Sequence, residues 1–427
     1  MSVKTGLASL LLCLGLAPAG MGQQIIATGQ AVQEPQVAVA GTGDYMIVWG
    51  DADNQAGAPS SAGVFARLFE ASGKPKGPAF LVSGTRAGDQ LLPQVAADER
   101  GNFVVAWQGG FYTGRNDPRP GGDGDGAGVF AQRFNRNGAR LGSSFRLSRS
   151  VVGEQLTPNV AIDSDGSLLA VWQDCTGVQR RCSELHVGRF TASGEHQGEE
   201  LEIPVLTATS YPDGRPVPNP TPSVVVEPGG FAVGWTEQEA CYKFEFEKFP
   251  VVVHFTDSGR PVGERFRLDD GDCEDATGWS LVALTTSRTG SSAAFFNGER
   301  NSFQLFEPGG DPAGPRRVVG KRNPCAGNSC EFIGDASMGS TGDFAVVWIQ
   351  YLTRTIPTPA KPYSLQAQFF DAQGNPRGSR VEVVASALEI FQPATALAKD
   401  GGLLVVWTEH GTDGSGQRLL FRKINRR

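Results

Sequence analysis

The sequence predicts an all-β protein: a seven-bladed β-propeller of four-stranded antiparallel blades, its ring closed by the amino-terminal strand. Three observations carry this. A unit of about sixty residues recurs seven times. One strand in each unit is apolar on both alternations. And the piece that the last unit lacks stands at the start of the chain.

The first element is a leader. Lys4 precedes an apolar run from Leu7 to Leu16, and small residues follow at Ala17, Ala19, Gly20 and Gly22. This reads as a secretory signal over residues 1–22, with cleavage after Ala19 or Gly22. The run is too short to cross a bilayer comfortably, and no longer apolar stretch exists. Residues 23–427 are then one propeller domain, secreted or periplasmic, with no membrane insertion. Formal charge is −7 for the whole chain, and −8 once the leader's lysine is removed. A mildly acidic chain has no electrostatic footprint for nucleic acid.

The repeat comes next. PQVAVAGTGDYMIVW (35–49), PQVAADERGNFVVAW (93–107) and PNVAIDSDGSLLAVW (158–172) are plain copies. PSVVVEPGGFAVGW (222–235), GDASMGSTGDFAVVW (334–348) and PATALAKDGGLLVVW (393–407) continue the series, and VALTTSRTGSSAAFF (282–296) is a degenerate copy. The marker aromatics are Trp49, Trp107, Trp172, Trp235, Phe296, Trp348 and Trp407.

Each copy holds the same parts: a short apolar strand, a turn rich in Asp, Gly and Ser, and a second strand such as 103–107. A variable loop leads to a third strand, such as GVFAQRF (128–134), and a Gly-containing turn leads to a short fourth. A strand apolar on both faces must be covered on both faces, and packing between two neighbouring blades does this. No window sustains a 3.6-residue apolar period, so essentially no helix is expected.

The last copy stops after its third strand, 417–425, while an orphan fourth strand, 24–27, sits at the mature amino terminus. The two ends therefore complete one blade and remove the open edge. A two-sheet sandwich is the rival arrangement, but it gives no reason for this phase.

Cys13 lies inside the leader. The mature chain keeps six cysteines, Cys175, Cys182, Cys241, Cys273, Cys325 and Cys330. An even number in an exported chain implies disulfides. Proximity pairs Cys175 with Cys182 and Cys325 with Cys330, leaving Cys241 with Cys273. Zinc is the rival use, but no C-x-x-C occurs and the four His are scattered.

Topology sorts the loops onto two faces. Turns between first and second strands, and between third and fourth, are short and regular. The others vary, with long ones at 50–62, 108–127, 236–249 and 349–363, and they hold all six mature cysteines. Variable loops on a rigid frame are where binding residues usually sit. Just past the marker aromatics come Asp51, Asp174, Glu237, Glu299 and Glu409, joined by Asp89 and Glu154. They could ring the variable face as a ligand or Ca²⁺ site, pair as acid and base, or form a solvated polar rim. His410, Arg115 and Tyr112 are further candidate ligand-binding residues on that face. GGDGDGAG (121–128) sets Asp123 and Asp125 among glycines, as a calcium turn or a flexible hairpin loop. His186 and His254 fall in third strands, where a packed His is the default.

Catalytic motifs are absent: no G-x-S-x-G, no H-E-x-x-H, no P-loop. The pattern P-x-V-A-x-D-x-x-G-x-x-V-V-x-W followed by G-V-F-A-Q-R-F-x-x-x-G resembles the repeats of bacterial exported β-propeller proteins, over nearly all of the mature chain. That resemblance implies an extracytoplasmic propeller and fixes no activity. Sialidases are propellers too, but their S-x-D-x-G-x-T-W turn fails here, because Trp172 comes six residues after Gly166. The expectation is a non-enzymatic binding module that presents a disulfide-stapled variable face to a protein or glycan ligand, with Ca²⁺ as a candidate aid. The alternative is a glycoside hydrolase or lyase using two rim carboxylates.

Overall fold

The computed structural model describes residues 23–427 except 30–31, 52–61, 85–87, 111–121, 176–181, 206–221, 241–245, 268–279, 299, 321–328, 353–361, 411–415 and 426–427. The leader, Tyr112, Arg115, Cys241, Cys273, Glu299 and Cys325 lie outside the described residues.

Seven four-stranded antiparallel sheets form the molecule, and no helix occurs among the described residues. Strand β1 is Gln24–Gly29. Blade 1 holds β2 (Val32–Val39), β3 (Tyr45–Asp51), β4 (Gly63–Phe69) and β5 (Phe80–Leu81). Blade 2 holds β6 (Gln90–Ala97), β7 (Phe103–Gly109), β8 (Gly128–Phe134) and β9 (Phe145–Arg146). Blade 3 holds β10 (Glu154–Ile162), β11 (Leu168–Cys175), β12 (Glu184–Phe190) and β13 (Leu201–Pro204).

Blade 4 holds β14 (Ser223–Glu227), β15 (Gly230–Ala240), β16 (Phe246–Thr256) and β17 (Pro261–Arg267). Blade 5 holds β18 (Ser280–Thr286), β19 (Ser292–Asn297), β20 (Ser302–Phe306) and β21 (Arg317–Val318). Blade 6 holds β22 (Ser329–Met338), β23 (Phe344–Leu352), β24 (Tyr363–Phe370) and β25 (Pro376–Ser386). Blade 7 holds β26 (Glu389–Leu397), β27 (Leu403–His410) and β28 (Gln417–Ile424). Its fourth strand is β1, which pairs antiparallel with β28, so the start of the chain closes the ring as the phase of the repeats predicts.

The first strands of neighbouring blades pack against one another around the whole circle, so they are innermost. The second strands explain how the circle is held. In β7, Phe103, Val105 and Trp107 belong to the core shared with blade 1, whereas Val104 and Ala106 belong to the core shared with blade 3. The pattern repeats, and each of the seven blade-to-blade interfaces has its own apolar cluster. Every marker aromatic is buried in the cluster towards the preceding blade. Burying such a side chain contributes roughly 1.5–3 kcal/mol.

A polar ring backs the apolar one. Innermost strands leave backbone N–H groups facing away from their own sheet, and such groups need acceptors. Here each is met from the preceding blade. Gln392 accepts from the Glu34 N–H at 2.8 Å, and Glu34 accepts from the Leu92 N–H at 2.7 Å. Gln108 accepts from Thr157, Asn159 from Val224, Thr236 from Leu281 and Asn297 from Ile333. Asp335 completes the circuit, accepting from both the N–H and the hydroxyl of Thr395 at 2.6 and 3.0 Å.

Four of these blades share a local device. Glu34, Leu92, Thr157 and Gln392 each precede a proline and hold φ of 46–53°. The strand register shifts at each. Non-glycine residues visit this region at a cost, and at Glu34, Leu92 and Thr157 the bulge turns the N–H towards the preceding blade. The repeated x-Pro of the sequence is thus a bulge signal in a first strand.

Candidate functional site

The two faces differ in chemistry. On the regular face, three turns from blades that are not all neighbours meet. Glu99, in the 98–102 turn of blade 2, pairs with Lys399 of blade 7 at 2.7 Å and with Arg288 of blade 5. Side chains from blades 2, 5 and 7 can meet only near the ring axis, so this charge cluster lies across that end of the centre. A shallow cleft between blades 2 and 3 lies on the same face, lined by Arg100, Arg133, Asp165 and Ala192. Arg100 donates to the Asp165 carbonyl, and Arg133 donates to the Ala192 carbonyl, so the cleft is bridged by its own lining.

On the variable face, the carboxylates past the marker aromatics are buried. Asp51, Asp174, Glu237 and Glu409 are each at most 8% exposed, so they do not form a solvated rim. The second strand places each two residues beyond its tryptophan, on the same side of the sheet. Glu237 accepts from the Trp235 indole N–H at 3.1 Å and pairs with Arg265, whose guanidinium lies over the Trp235 ring. Glu409 accepts from the Trp407 indole at 3.3 Å and pairs with Arg418 at 2.5 Å.

Where that position is not acidic, the first strand supplies the polar partner. Gln90 accepts from Trp107 at 2.6 Å. In blade 6, Glu331 pairs with Arg380, which stacks over Trp348 at 4.5 Å. Glu237, Glu409 and Glu331 therefore share one task within their blades: each satisfies or flanks a buried indole and holds an arginine. A buried polar group without a partner is costly, which is why the device recurs. Reasoning from sequence missed the arginines. The signal available was an Arg in a third or fourth strand of the blades that carry the acid.

The remaining candidates disperse. His410 is half-buried, 2.6 Å from the Gln417 amide, with its ring edge-on to Phe391. His186 lies 3.1 Å from Glu200 and packs near Trp172. Burial opposes its charge, but Glu200 and Asp174 outweigh that, and its pKa is raised. His254 is buried against Glu227 at 2.9 Å. Both histidines sit in third strands as packed side chains.

The glycine-rich turn brings Asp123 and Asp125 near each other without making a cation cage. Asp125 accepts from the Gly153 N–H at 3.0 Å, and Glu154 accepts from the Ala127 N–H at 2.6 Å. Both Asp123 oxygens are shielded and meet no donor at hydrogen-bonding geometry. Burial pushes that carboxyl up to about 6. Calcium takes six to eight oxygens. Among the described residues no three His, Cys, Asp or Glu side chains converge as a metal site.

Cys175 and Cys182 form the expected disulfide, stapling the β11–β12 hairpin. Cys330 is also disulfide-bonded, and its expected partner, Cys325, lies outside the described residues. No helix among the described residues is long and apolar enough to cross a membrane. A disulfide is compatible with an extracellular or periplasmic location.

Comparison with known proteins gives the fold and stops there. No family model and no curated protein matches the chain. Among solved structures, a polysaccharide lyase, an ulvan lyase, aligns with a TM-score of 0.52 at 9% identity, over 93% of this chain and 95% of that one. A protein of unknown function from Dyadobacter fermentans aligns with a TM-score of 0.50 at 11% identity, over 96% and 99%. The NanB sialidase of Streptococcus pneumoniae aligns with a TM-score of 0.48 at 9% identity, over 96% and 71%. At these identities the likeness is one of propeller architecture.

Proposed function

We propose that the protein is an exported, non-enzymatic binding module whose variable face holds a protein or glycan ligand. The observation that carries this reading is the commitment of Glu237 and Glu409. Each is fixed by an indole and an arginine of its own blade. A hydrolase or lyase would need such carboxylates free to exchange protons with substrate. The charge cluster around Glu99 lies over the opposite end of the ring. The Cys175–Cys182 staple limits the freedom of one loop there, as a preorganised binding surface requires.

A polysaccharide lyase shares the architecture, so turnover belongs in the test. The oxidised mature chain is screened against a glycan array and a panel of secreted proteins, with and without Ca²⁺, and assayed for release of reducing or unsaturated sugar ends. Binding without turnover is expected. Turnover lost in folded Glu237→Gln or Glu409→Gln protein would replace this reading with the enzymatic one.

A further inference from the structure

In three blades a carboxylate near the marker tryptophan holds an arginine: Glu237 holds Arg265 in blade 4, Glu331 holds Arg380 in blade 6 and Glu409 holds Arg418 in blade 7. Arg265 and Arg380 lie over the indoles, 5.3 and 4.5 Å from the ring centres. An arginine in a protein stays charged at any working pH. Blade 3 fills this place differently. Its basic group is His186, the ladder partner of Trp172, and the two rings are 6.0 Å apart. Histidine is the side chain whose charge changes near neutrality.

Carboxylates from every strand beside it face this imidazole. Nδ1 is 3.1 Å from Glu200, which immediately precedes β13, and Nε2 is 3.6 Å from Glu184, two residues back on β12. Asp174 of β11 adds its field, and Glu202 of β13 is the ladder partner of His186. The His186 and Glu200 side chains are each 11% exposed, so salt screens their pair little. Glu200 has a second task. Its other oxygen accepts from the Arg149 N–H at 2.7 Å, and the Arg149 guanidinium donates to the Gly198 carbonyl at 2.6 Å. Arg149 lies between β9 and β10, in the connector from blade 2 to blade 3. One carboxylate therefore ties His186 to the chain that enters its blade. The nearby cations bear on His196: burial first, then Arg149 and Arg146, lower its pKa, so it gives up its proton before His186 does.

We propose that His186 and Glu200 form a proton-operated clasp between the outer part of blade 3 and the blade 2–3 connector. With both groups charged the clasp is closed. Loss of the His186 proton leaves Glu200 and Glu184 facing a neutral ring, and the clasp loosens. Burial opposes the His186 charge, but Glu200, Asp174 and Glu184 outweigh it and hold its pKa above 6.5. Its contribution is then fully present below pH 6.5 and is lost as pH rises through the folded value. Burial likewise opposes the Glu200 charge, but His186 and the Arg149 N–H hold its pKa below 4.5, so its contribution is present above pH 4.5 and is lost only in stronger acid. The clasp is closed in mildly acidic solution and opens towards alkaline pH. Cys182 stands two residues before Glu184, so the stapled hairpin of the variable face is firmest under the same mildly acidic conditions. This holds whatever that face binds.

The test uses the oxidised mature chain. Hydrogen exchange at the Arg149 amide is followed from pH 6 to pH 8.5 and corrected for the intrinsic rate. Its protection should fall about tenfold, the weight of one charge-assisted hydrogen bond. The four histidine Cε1–H signals are titrated by NMR, with His186 identified as the signal lost in His186→Gln. His186 should titrate above 6.5, and Glu200→Gln should move its midpoint down. In urea, the advantage of wild type over His186→Gln should be larger at pH 6 than at pH 8.5. His186→Arg, which brings in the cation of the other blades, should keep the Arg149 amide equally protected at both pH values. The inference is overturned if Arg149 protection is level in wild type, if His186 titrates at or below 6.5, or if the advantage in urea is the same at both pH values. The exchange measurement on wild type needs no variant, so it decides the matter even where a substituted chain fails to fold.

Discussion

Asp335 offers a direct test of the polar ring. It lies on β22 and takes two hydrogen bonds from Thr395 of the next blade. Burial raises its carboxyl from 3.8 to about 7 against the pull of those bonds. The folded state therefore holds this proton more tightly than the unfolded chain. Its contribution is fully present below pH 4 and is lost as pH rises through about 7.

The gap of about three pH units at about 1.4 kcal/mol each sets a ceiling of about 4 kcal/mol. The side chain is half-buried. Partial access of water halves the ceiling, to about 2 kcal/mol. Asp335→Asn keeps the accepting oxygen for the Thr395 N–H and removes the charge. Its urea midpoint should exceed that of wild type at pH 8, by about 1–2 kcal/mol once multiplied by the urea slope. The advantage should shrink steadily on going to pH 5. An advantage equal at both pH values, or larger at pH 5, refutes the assignment of the cost to a buried carboxylate.

Removing β1, residues 24–29, should strip β28 of its partner and expose that edge; a lower unfolding midpoint and higher-order species on size exclusion are the expected readouts. Replacing Cys175 and Cys182 together by serine should cost about 2 kcal/mol, the loop-closure entropy of a seven-residue separation, measured by thermal unfolding of the oxidised proteins. Glu237→Gln should lower stability by about 1–3 kcal/mol because it leaves Arg265 beside a neutral amide, while ligand binding by the folded fraction stays unchanged. Gly310→Ala combines φ +94° with a new methyl within 2.5 Å of the His254 ring, so soluble yield and melting temperature should both fall.

The candidate site was less legible than the fold. Glu237 and Glu409 are visible in the sequence as acids two residues past a tryptophan, but the same spacing that suggests an open ring also places each under its own indole. Only the arrival of Arg265 and Arg418 from later strands shows which applies. The near-parallel pairing of Phe332 and Tyr351 has no sequence signature at all. Phe332 reads as one more apolar residue of a first strand, and the bulge between Ile333 and Asp335 decides which later residues of that strand face blade 7. A register shift of one residue moves every later side chain to the other face, and no local pattern announces it.

Periodicity alone determined the number of blades, the four-strand unit and the closure by residues 24–27. A repeat of fixed length with one doubly apolar strand has few ways to bury both faces of that strand. The register of each bulge, the partners of each carboxylate and the meeting of Glu99 with Arg288 and Lys399 were decided only by the tertiary structure. The Glu99 contacts join residues on different blades, as far apart as 300 positions in the chain. Their geometry is set by how neighbouring sheets pack, and the sequence records the residues without recording who stands opposite whom.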